Sequence, residues 1–244
     1  MIKRIFDLSF AILSLALLSP FLILISILIF LQDFHNPLYV SKRIGVGGEE
    51  FSFFKFRSMK INSDKSGVDS TSNEDPRITK LGKFIRKYKV DELSQSLNVF
   101  LGTMSLVGPR PNVKRDTDLY TEVERNLLVV KPGITDFSSI VFSDEGDILE
   151  GHKDPDLTYN QLIRPWKSRL GLVYIDNQSL SLDLKLITLT ILSLFSRENA
   201  LHYMCMILTD LNVSGDVIKA ASRKYSFEPH PPPGSEEIVK SRTL

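Results

Sequence analysis

A long uncharged stretch dominates the start of this 244-residue chain. Residues 8–32 carry no charged side chain and consist mainly of Leu, Ile, Phe, Ala and Ser. About 20 apolar residues are enough to span a bilayer core as a helix, whereas a secretory signal has a shorter apolar region followed by a small-residue cleavage site. The pattern therefore predicts a retained membrane segment, which we place at residues 1–36.

Ser19 and Pro20 lie near the middle of this segment. Proline removes a backbone donor and clashes with the carbonyl of Ala16, so a kink or break is expected there, and the Ser19 hydroxyl can bond back to a freed carbonyl. Basic residues flank both ends, so the positive-inside bias gives no crossing direction. Two arrangements stay open: a kinked span, or a re-entrant helix-break-helix that leaves by the face it entered.

Residues 38–60 follow the pattern of a β-hairpin, with a glycine-rich turn between two alternating segments. The alternation puts Phe54 and Phe56 on one face of the second strand, and Lys55 and Arg57 on the other. Two cations on one strand face are commonly just solvated. They can also clamp a diphosphate, since Arg offers a planar fork and Lys a point charge.

Helical periodicity returns at Thr79, where apolar residues recur at the i, i+3, i+4 and i+7 positions between basic ones. Such a helix lies either in a lipid headgroup layer or on a protein core with a solvated basic face. Residues 91–102 predict a second helix that ends at Gly102. Further apolar helices are predicted at 179–197 and 200–211. The Pro-rich tail from about 222 is expected to be disordered or extended.

Asp91 and Glu92 stand side by side in the first turn of the second predicted helix, directly after a basic stretch. The helix dipole favours acids there, and nearby cations keep a carboxylate ionised at neutral pH. An ionised carboxylate can serve as a nucleophile or as a metal ligand. Acids that only stabilise the start of a helix are also common at this position. The pair alone therefore does not distinguish a functional role from a structural one.

Arg110 lies between two prolines, Pro109 and Pro111. Each proline fixes its own φ angle and restricts the residue before it, so this loop loses little entropy on ordering. A rigidly presented arginine makes a good anion clamp.

Composition excludes several other kinds of site. The net charge of +1 does not point to nucleic acid as a partner. A single cysteine, Cys205, leaves no internal disulfide or Cys-based metal site, and the four histidines show no metal-ligand spacing.

An ordered set of motifs resembles the monotopic phosphoglycosyl transferases, bacterial sugar transferases that act on polyprenyl phosphate. The resemblance covers roughly residues 1–196 and implies the minimal catalytic form. It implies an α+β fold with a re-entrant membrane helix-break-helix at 1–36. The catalytic domain at 37–200 would hold a small β-hairpin and several amphipathic interfacial helices, and 201–244 would add an extra helix and a disordered Pro-rich tail. The matching motifs are KRIFD (3–7), Ser19-Pro20, KFRSM (55–59), DPRITKLG (75–82), DEL (91–93), MSLVGPRP (104–111), KPGIT (131–135) and YIDNQSLSLDLK (174–185).

The resemblance also implies a reaction. A sugar 1-phosphate would pass from a nucleotide sugar, usually UDP-linked, to polyprenyl phosphate through a covalent intermediate on Asp91. This would be the first membrane step in building a surface glycan such as O-antigen or capsule. Mg²⁺ would be held by Glu92 and Asp91. The substrate-binding residues carried over are Arg110, Lys55, Arg57, Arg77 and Pro111.

The implied location is the bacterial inner membrane, with the active site on the cytoplasmic face. The implied partners are the two substrates and membrane lipid, and the oligomeric state is left open, a homodimer included. Two alternatives remain: a membrane-anchored nucleotide-sugar hydrolase that uses water as acceptor, and a non-enzymatic membrane scaffold. No residue identifies the sugar.

Overall fold

Helices account for most of the fold, in a computed structural model that describes residues 1–63, 67–72 and 74–241. Two small two-stranded sheets accompany them, which confirms a mixed helix and sheet class. The helices are α1 (Ile2–Asp33), α2 (Lys80–Lys87), α3 (Ser96–Leu101), α4 (Lys114–Thr117), α5 (Phe137–Val141), α6 (Glu145–Ile148), α7 (Pro155–Thr158), α8 (Arg164–Asp176), α9 (Leu180–Phe195), α10 (Arg197–Asp210) and α11 (Gly215–Ser222), and the strands are β1 (Leu38–Ile44), β2 (Glu50–Phe56), β3 (Ser105–Val107) and β4 (Gly133–Thr135).

Helix α1 continues through Pro20 without interruption. The break predicted at Ser19 and Pro20 is therefore not present as an interruption of this helix. The back-bonding predicted there is confirmed: Ser19 Oγ donates to the carbonyl oxygen of Ala16 at 2.9 Å, the acceptor that Pro20 leaves free. Within the described residues, α1 is the one helix long and apolar enough to cross a membrane, with a mean hydropathy of 2.8 over its best window.

Polar side chains fix the N-terminal end of α1 to the rest of the protein. Lys3 Nζ donates to Asp183 Oδ2 in α9 at 2.5 Å. Arg4 donates to the Val99 and Phe100 carbonyls in the last turn of α3 at 2.6 and 3.0 Å, where the helix dipole favours a cation. The buried Asp7 carboxylate accepts from Ser105 Oγ at 2.8 Å and from the backbone N–H of Leu106. Three residues of the first motif thus join α1 to three other elements.

The C-terminal end of α1 is fixed to the same body. The Asp33 carboxylate forms an ion pair with Arg57, which follows β2 and also donates to the carbonyl of Asn36 at 2.9 Å. Ile25 and Ile29 are buried in a cluster with side chains of β2 and α2. Because both ends are held by one body, α1 lies along that body.

The predicted hairpin is confirmed, and β1 and β2 pair antiparallel from Leu38 opposite Phe56 to Ile44 opposite Glu50. Its turn uses Gly47 and Gly48 at φ 68° and 84°, a backbone region that glycine adopts without steric cost. The motifs around 104–111 and 131–135 form a second sheet, in which β3 and β4 run parallel. This second pairing was not predicted.

The helix predicted at 91–102 divides into two parts. Residues Val90–Gln95 form a 3₁₀ helix, which we call the acidic turn, and α3 follows and ends at Gly102 with φ 86° as expected. Helix α2 begins after Thr79, whose side chain accepts from the Gly82 N–H at 2.9 Å. The helices predicted at 179–197 and 200–211 are confirmed as α9 and α10.

The main core packs α5, α8, α9 and α10 against the β3–β4 pair, with Phe137, Leu170, Leu186 and Met204 almost fully buried. The tail at 223–241 runs as an extended segment beside α8. There the His230 ring stacks on the Trp166 ring with 4.5 Å between the ring centres. The backbone N–H of His230 donates to the Gln161 carbonyl at 3.0 Å. Residues 242–244 of the predicted tail lie outside the described residues.

Candidate active site

The acidic turn presents the two adjacent carboxylates in different directions. A 3₁₀ helix has about three residues per turn, so neighbouring side chains point about 120° apart. Asp91 is buried, at 3% exposed, while the Glu92 side chain is 19% exposed. Lys89, which precedes the turn, has φ 52°, an uncommon angle for a residue other than glycine.

The acidic turn is held against the edge of β2 by amide contacts. Asn98, fully buried in α3, accepts from the Phe54 N–H at 3.0 Å and donates to the Ser52 carbonyl at 2.7 Å. Ser94 Oγ lies 3.4 Å from the Phe54 carbonyl. These bonds occupy backbone groups of an edge strand that would otherwise be unpaired. They also fix Lys55, the next residue of β2, beside Asp91.

Each acid has a cation of its own. Lys55 Nζ lies 2.8 Å from Asp91 Oδ2 and 3.8 Å from Glu92 Oε1. Arg110 donates from Nη2 to Glu92 Oε1 at 2.5 Å, and its Nη1 lies 3.4 Å from Oε2. Four predicted residues from three separate motifs thus form one charged cluster.

The second sheet explains where Arg110 is placed. The Gly108 N–H donates to the Thr135 carbonyl and the Gly133 N–H donates to the Pro109 carbonyl, both at 3.0 Å. A Cβ added at Gly108 would lie 2.4 Å from the Lys131 carbonyl oxygen, and one at Gly133 would lie 2.1 Å from the Gly108 nitrogen. The two backbones approach so closely that only glycine fits at both positions. The loop before Arg110 is therefore fixed by hydrogen bonds as well as by its prolines.

The charges of the cluster keep Glu92 ionised at neutral pH. Burial would raise the pKa of Glu92, but Arg110, Lys55 and Lys89 together outweigh it and lower this pKa to about 2. Burial works against the charged form of Arg110 too, yet the Glu92 carboxylate raises the pKa of Arg110 above its ordinary value. Lys89 differs, because burial dominates and lowers its pKa.

Two further cations near this cluster were not predicted as site residues. Lys89 Nζ donates to the Ser139 carbonyl at 3.3 Å, and its place in the basic stretch beside Asp91 was a signal that could have indicated it. Lys167 lines the same recess as Arg110 and pairs with Glu145. Nothing in the spacing of the sequence links Lys167 to Arg110, since α8 reaches the recess through tertiary packing.

Two predicted phosphate-binding residues are engaged elsewhere. β2 ends at Phe56, so the alternation stops before Arg57, and the Arg57 guanidinium binds Asp33 at the end of α1. Lys55 and Arg57 thus pair with acids at different places, and a role of Arg57 in phosphate binding stays a prediction. Arg77 binds Asp75 with Nε and Nη2, and donates to the Val68 carbonyl at 3.0 Å. Pro111 remains next to Arg110 and lines a recess with it.

The donor set was tested for its fit to Mg²⁺. In the part of the chain that the structure describes, no group of three or more His, Cys, Asp or Glu side chains is placed to hold a metal ion. Mg²⁺ is commonly held by one or two carboxylates with substrate phosphates and water completing its shell. Asp91 and Glu92 supply two carboxylates, so the residues fit a Mg²⁺ ion that arrives with a phosphate substrate.

Comparison with known proteins identifies a family for this chain. A family model described as bacterial sugar transferase matches residues 1–197. The chain is 37% identical over 204 residues to the undecaprenyl-phosphate glucose phosphotransferase of Komagataeibacter xylinus, covering 80% of this chain and 36% of that one. It is 36% identical over 149 residues to the UDP-N-acetylgalactosamine-undecaprenyl-phosphate N-acetylgalactosaminephosphotransferase of Aeromonas hydrophila, covering 60% and 35%.

A third relative is similar along nearly its whole length. It is the uncharacterized sugar transferase EpsL of Bacillus subtilis (strain 168), 35% identical over 217 residues, which are 88% of this chain and 98% of that one. The chain spans only about a third of the length of the two longer relatives. The family match covers most of the chain, including both carboxylates, Lys55 and Arg110, and so this protein belongs to the bacterial sugar transferase family.

Proposed function

We propose that the protein transfers a sugar 1-phosphate from a UDP-sugar to undecaprenyl phosphate, through a covalent intermediate on Asp91. The observation that carries this proposal is the cluster in which Lys55 Nζ lies 2.8 Å from Asp91 and Arg110 lies 2.5 Å from Glu92. Two relatives support the substrate class, because their names include undecaprenyl phosphate and one includes a UDP-linked sugar.

In the first step an Asp91 oxygen attacks the phosphorus that bears the sugar. The bond from this phosphorus to the oxygen of the leaving UMP breaks, and UMP departs with the electron pair. A sugar-phosphoryl-aspartate remains, which is covalent catalysis by a carboxylate. Lys55 holds the Asp91 carboxylate in place, and as Asp91 loses its charge the ammonium becomes available to the phosphoryl oxygens.

In the second step a phosphate oxygen of undecaprenyl phosphate attacks the same phosphorus. The bond to Asp91 breaks, the carboxylate is regenerated, and undecaprenyl-diphospho-sugar forms. Glu92 and Arg110 act as a charged pair beside the reacting group, with Arg110 providing N–H donors for phosphate oxygens. A Mg²⁺ ion held by Glu92 and Asp91 would neutralise diphosphate charge.

The surfaces of α1 and α2 support a placement at the membrane. The apolar residues of α1 are largely exposed, with 11% of its most apolar window buried. Phe84 and Tyr88 of α2 are about half exposed while Ile85 is buried, so the predicted stripe divides between core and surface. Both ends of α1 are held by one body, which supports a re-entrant placement in one leaflet. We place the body at the cytoplasmic face of the inner membrane, where nucleotide sugars are made.

The test is UMP release from a panel of UDP-sugars by detergent-extracted protein with Mg²⁺ and undecaprenyl phosphate. Asp91→Asn should lower turnover by at least about 10³-fold, because the amide is a far weaker nucleophile. Asp118→Asn, an exposed acid of the same type, is the matched control and should keep wild-type turnover.

The outcomes separate the three candidate functions. Release that requires the lipid, Mg²⁺ and Asp91 supports the transferase and identifies the sugar. Release without the lipid would favour a nucleotide-sugar hydrolase. No release from any donor, with correctly folded protein, would favour a non-enzymatic scaffold.

A further inference from the structure

Arg43, near the end of β1, is a part-buried cation to which the proposed reaction gives no role. Its Nε–H is buried and has no hydrogen-bond partner. Its guanidinium makes no hydrogen bond or ion pair with any described residue, and it lies 5.5 Å from the centre of the Phe53 ring. Since a buried donor without an acceptor is costly, an unpaired guanidinium in a charged cluster indicates an acceptor that is not part of the chain.

The register of the hairpin puts Arg43 on the face that carries Lys55. Tyr39 is opposite Lys55 and Arg43 is opposite Phe51, and residues two apart on a strand share a face. The neighbour Lys42 belongs to the opposite face and is exposed, with its Nζ 3.4 Å from Ser52 Oγ. One strand thus carries one cation on the face of Lys55 and another on the opposite face.

The end of β1 that carries Arg43 is bonded to the loop that carries Arg110. The Ile44 N–H donates to the Asn112 carbonyl at 3.0 Å, which joins the end of β1 to the loop that carries Arg110. Burial lowers the pKa of Arg43 and the charge of Arg110 lowers it further, while Tyr39, Asp69 and Asp116 oppose this. Two guanidinium groups held near each other repel unless an anion lies between them.

We propose that Arg43 and Arg110 together bind one phosphate group of a substrate, which would make Arg43 a phosphate-binding residue of the site. This inference rests on the proposed function, because the phosphate belongs to one of its two substrates. Lys55 and Arg110 are already in contact with the two carboxylates, whereas the Arg43 guanidinium has its donors free. A planar guanidinium binds two phosphate oxygens at once.

The phosphate can come from the nucleotide or from the lipid, and two probes distinguish these sources. Equilibrium binding of UMP and of farnesyl phosphate is measured on the full chain in detergent with Mg²⁺. We expect Arg43→Gln to weaken binding of one probe by roughly 10- to 100-fold, the usual effect of losing a charged hydrogen bond. Arg43→Lys keeps the positive charge but not the planar guanidinium, so it should lose less affinity for that probe than Arg43→Gln does. The control Lys42→Gln should bind both probes as wild type does.

Thermal unfolding checks each variant, and Arg43→Lys decides the matter if Arg43→Gln does not fold. The inference is overturned if folded Arg43 variants bind both probes as tightly as wild type, or if wild type binds neither. The same proteins assayed for turnover test the proposed function separately. Binding of a probe that depends on Arg43, without turnover of any UDP-sugar, would reject the transferase and leave the phosphate site standing.

Discussion

Among the residues that the structure describes, two arginine–glutamate pairs have similar chemistry and different surroundings. Arg164 binds Glu124 inside the body, and Arg110 binds Glu92 at the acidic turn. Both pairs bring guanidinium nitrogen to within 2.6 Å of carboxylate oxygen. They differ in how completely the remaining donors and acceptors are used, and this difference separates a structural pair from a candidate catalytic one.

The Arg164–Glu124 pair is saturated. Its side chains are 1% and 0% exposed. The Glu124 carboxylate accepts from Arg164 Nε and Nη2, from Ser168 Oγ at 2.6 Å and from the Thr121 N–H at 3.1 Å. Arg164 also donates to Asn160 Oδ1 and to a backbone carbonyl. The pair joins α8 to the 121–124 segment. Because its donors and acceptors already bond to groups inside the protein, it is not free to bind a substrate.

The Arg110–Glu92 pair is less complete. Its side chains are 25% and 19% exposed, and one of its two contacts is long, at 3.4 Å. Lys55 stands 3.8 Å from the Glu92 carboxylate, beyond hydrogen-bond distance. A carboxylate kept charged by cations, yet with lone pairs to spare, can still bind a metal ion. Saturation of the hydrogen-bonding groups, more than burial alone, therefore distinguishes the two roles.

The sharpest way to break the comparison is to remove one partner of the saturated pair. Glu124→Ala leaves Arg164 buried without its counter-charge, which typically costs about 3–5 kcal/mol in the free energy of unfolding. For a chain of this size that corresponds to a Tm lower by about 6–20 °C in the same detergent. Glu122→Ala, an exposed acid two residues away, is the control and should unfold near the wild-type temperature. An unchanged Tm for Glu124→Ala would show that the pair is not structural.

The opposite result is expected at the acidic turn. Glu92→Gln keeps the shape of the side chain and removes its charge, so turnover should fall by about 100-fold, typical of losing one electrostatic contact to the reacting group. Its Tm should stay within about 4 °C of wild type because the site is partly solvated. Glu49→Gln in the exposed hairpin turn is the control for UMP release. A large fall in Tm with normal turnover would make the two pairs alike.

The members of the Arg110–Glu92 pair could be singled out from the sequence, whereas those of the Arg164–Glu124 pair could not. Asp91, Glu92, Lys55 and Arg110 stood out because adjacent acids, a cationic strand face and a Pro-Arg-Pro loop are local patterns, and the structure places all four together. The hairpin and the main helices were also local patterns. Arg164 and Glu124 carry no such pattern, since their pairing depends on how α8 packs.

Other features of the fold could not be predicted from local sequence patterns either. Strand alternation put Arg57 on the face of Lys55, but β2 ends one residue earlier and the end of α1 supplies Asp33 as its partner. The β3–β4 pairing joins two motifs through backbone contacts at Gly108 and Gly133, which no periodicity reports. Pro20 signals a break, yet one hydrogen bond from Ser19 accompanies an unbroken helix. Long-range packing decided the first two cases, whereas the Ser19 hydrogen bond is local.

Acid titration sharpens the comparison further. The pKa of Glu92 is about 2 in the folded protein and 4.5 as an isolated group. A lowered pKa means that its contribution to stability is fully present above about pH 5 and is lost as the pH falls towards 2. Between pH 7 and pH 3 wild type should therefore lose about 1–2 kcal/mol more than Glu92→Gln. Denaturant unfolding at both pH values measures this, and equal losses in the two proteins would contradict the lowered pKa.

The smallest effect is expected at a pair that is neither saturated nor in the site. Lys114 Nζ lies 2.6 Å from Asp118 Oδ1, but the side chains are 64% and 42% exposed. Water screens such a pair, and holding two mobile side chains together offsets most of the attraction, so Lys114→Ala should change the free energy of unfolding by less than about 0.5 kcal/mol. Turnover should not change. A loss comparable to that of Glu124→Ala would mean that a short ion-pair distance matters more than saturation, and the distinction between the two arginine–glutamate pairs would need another basis.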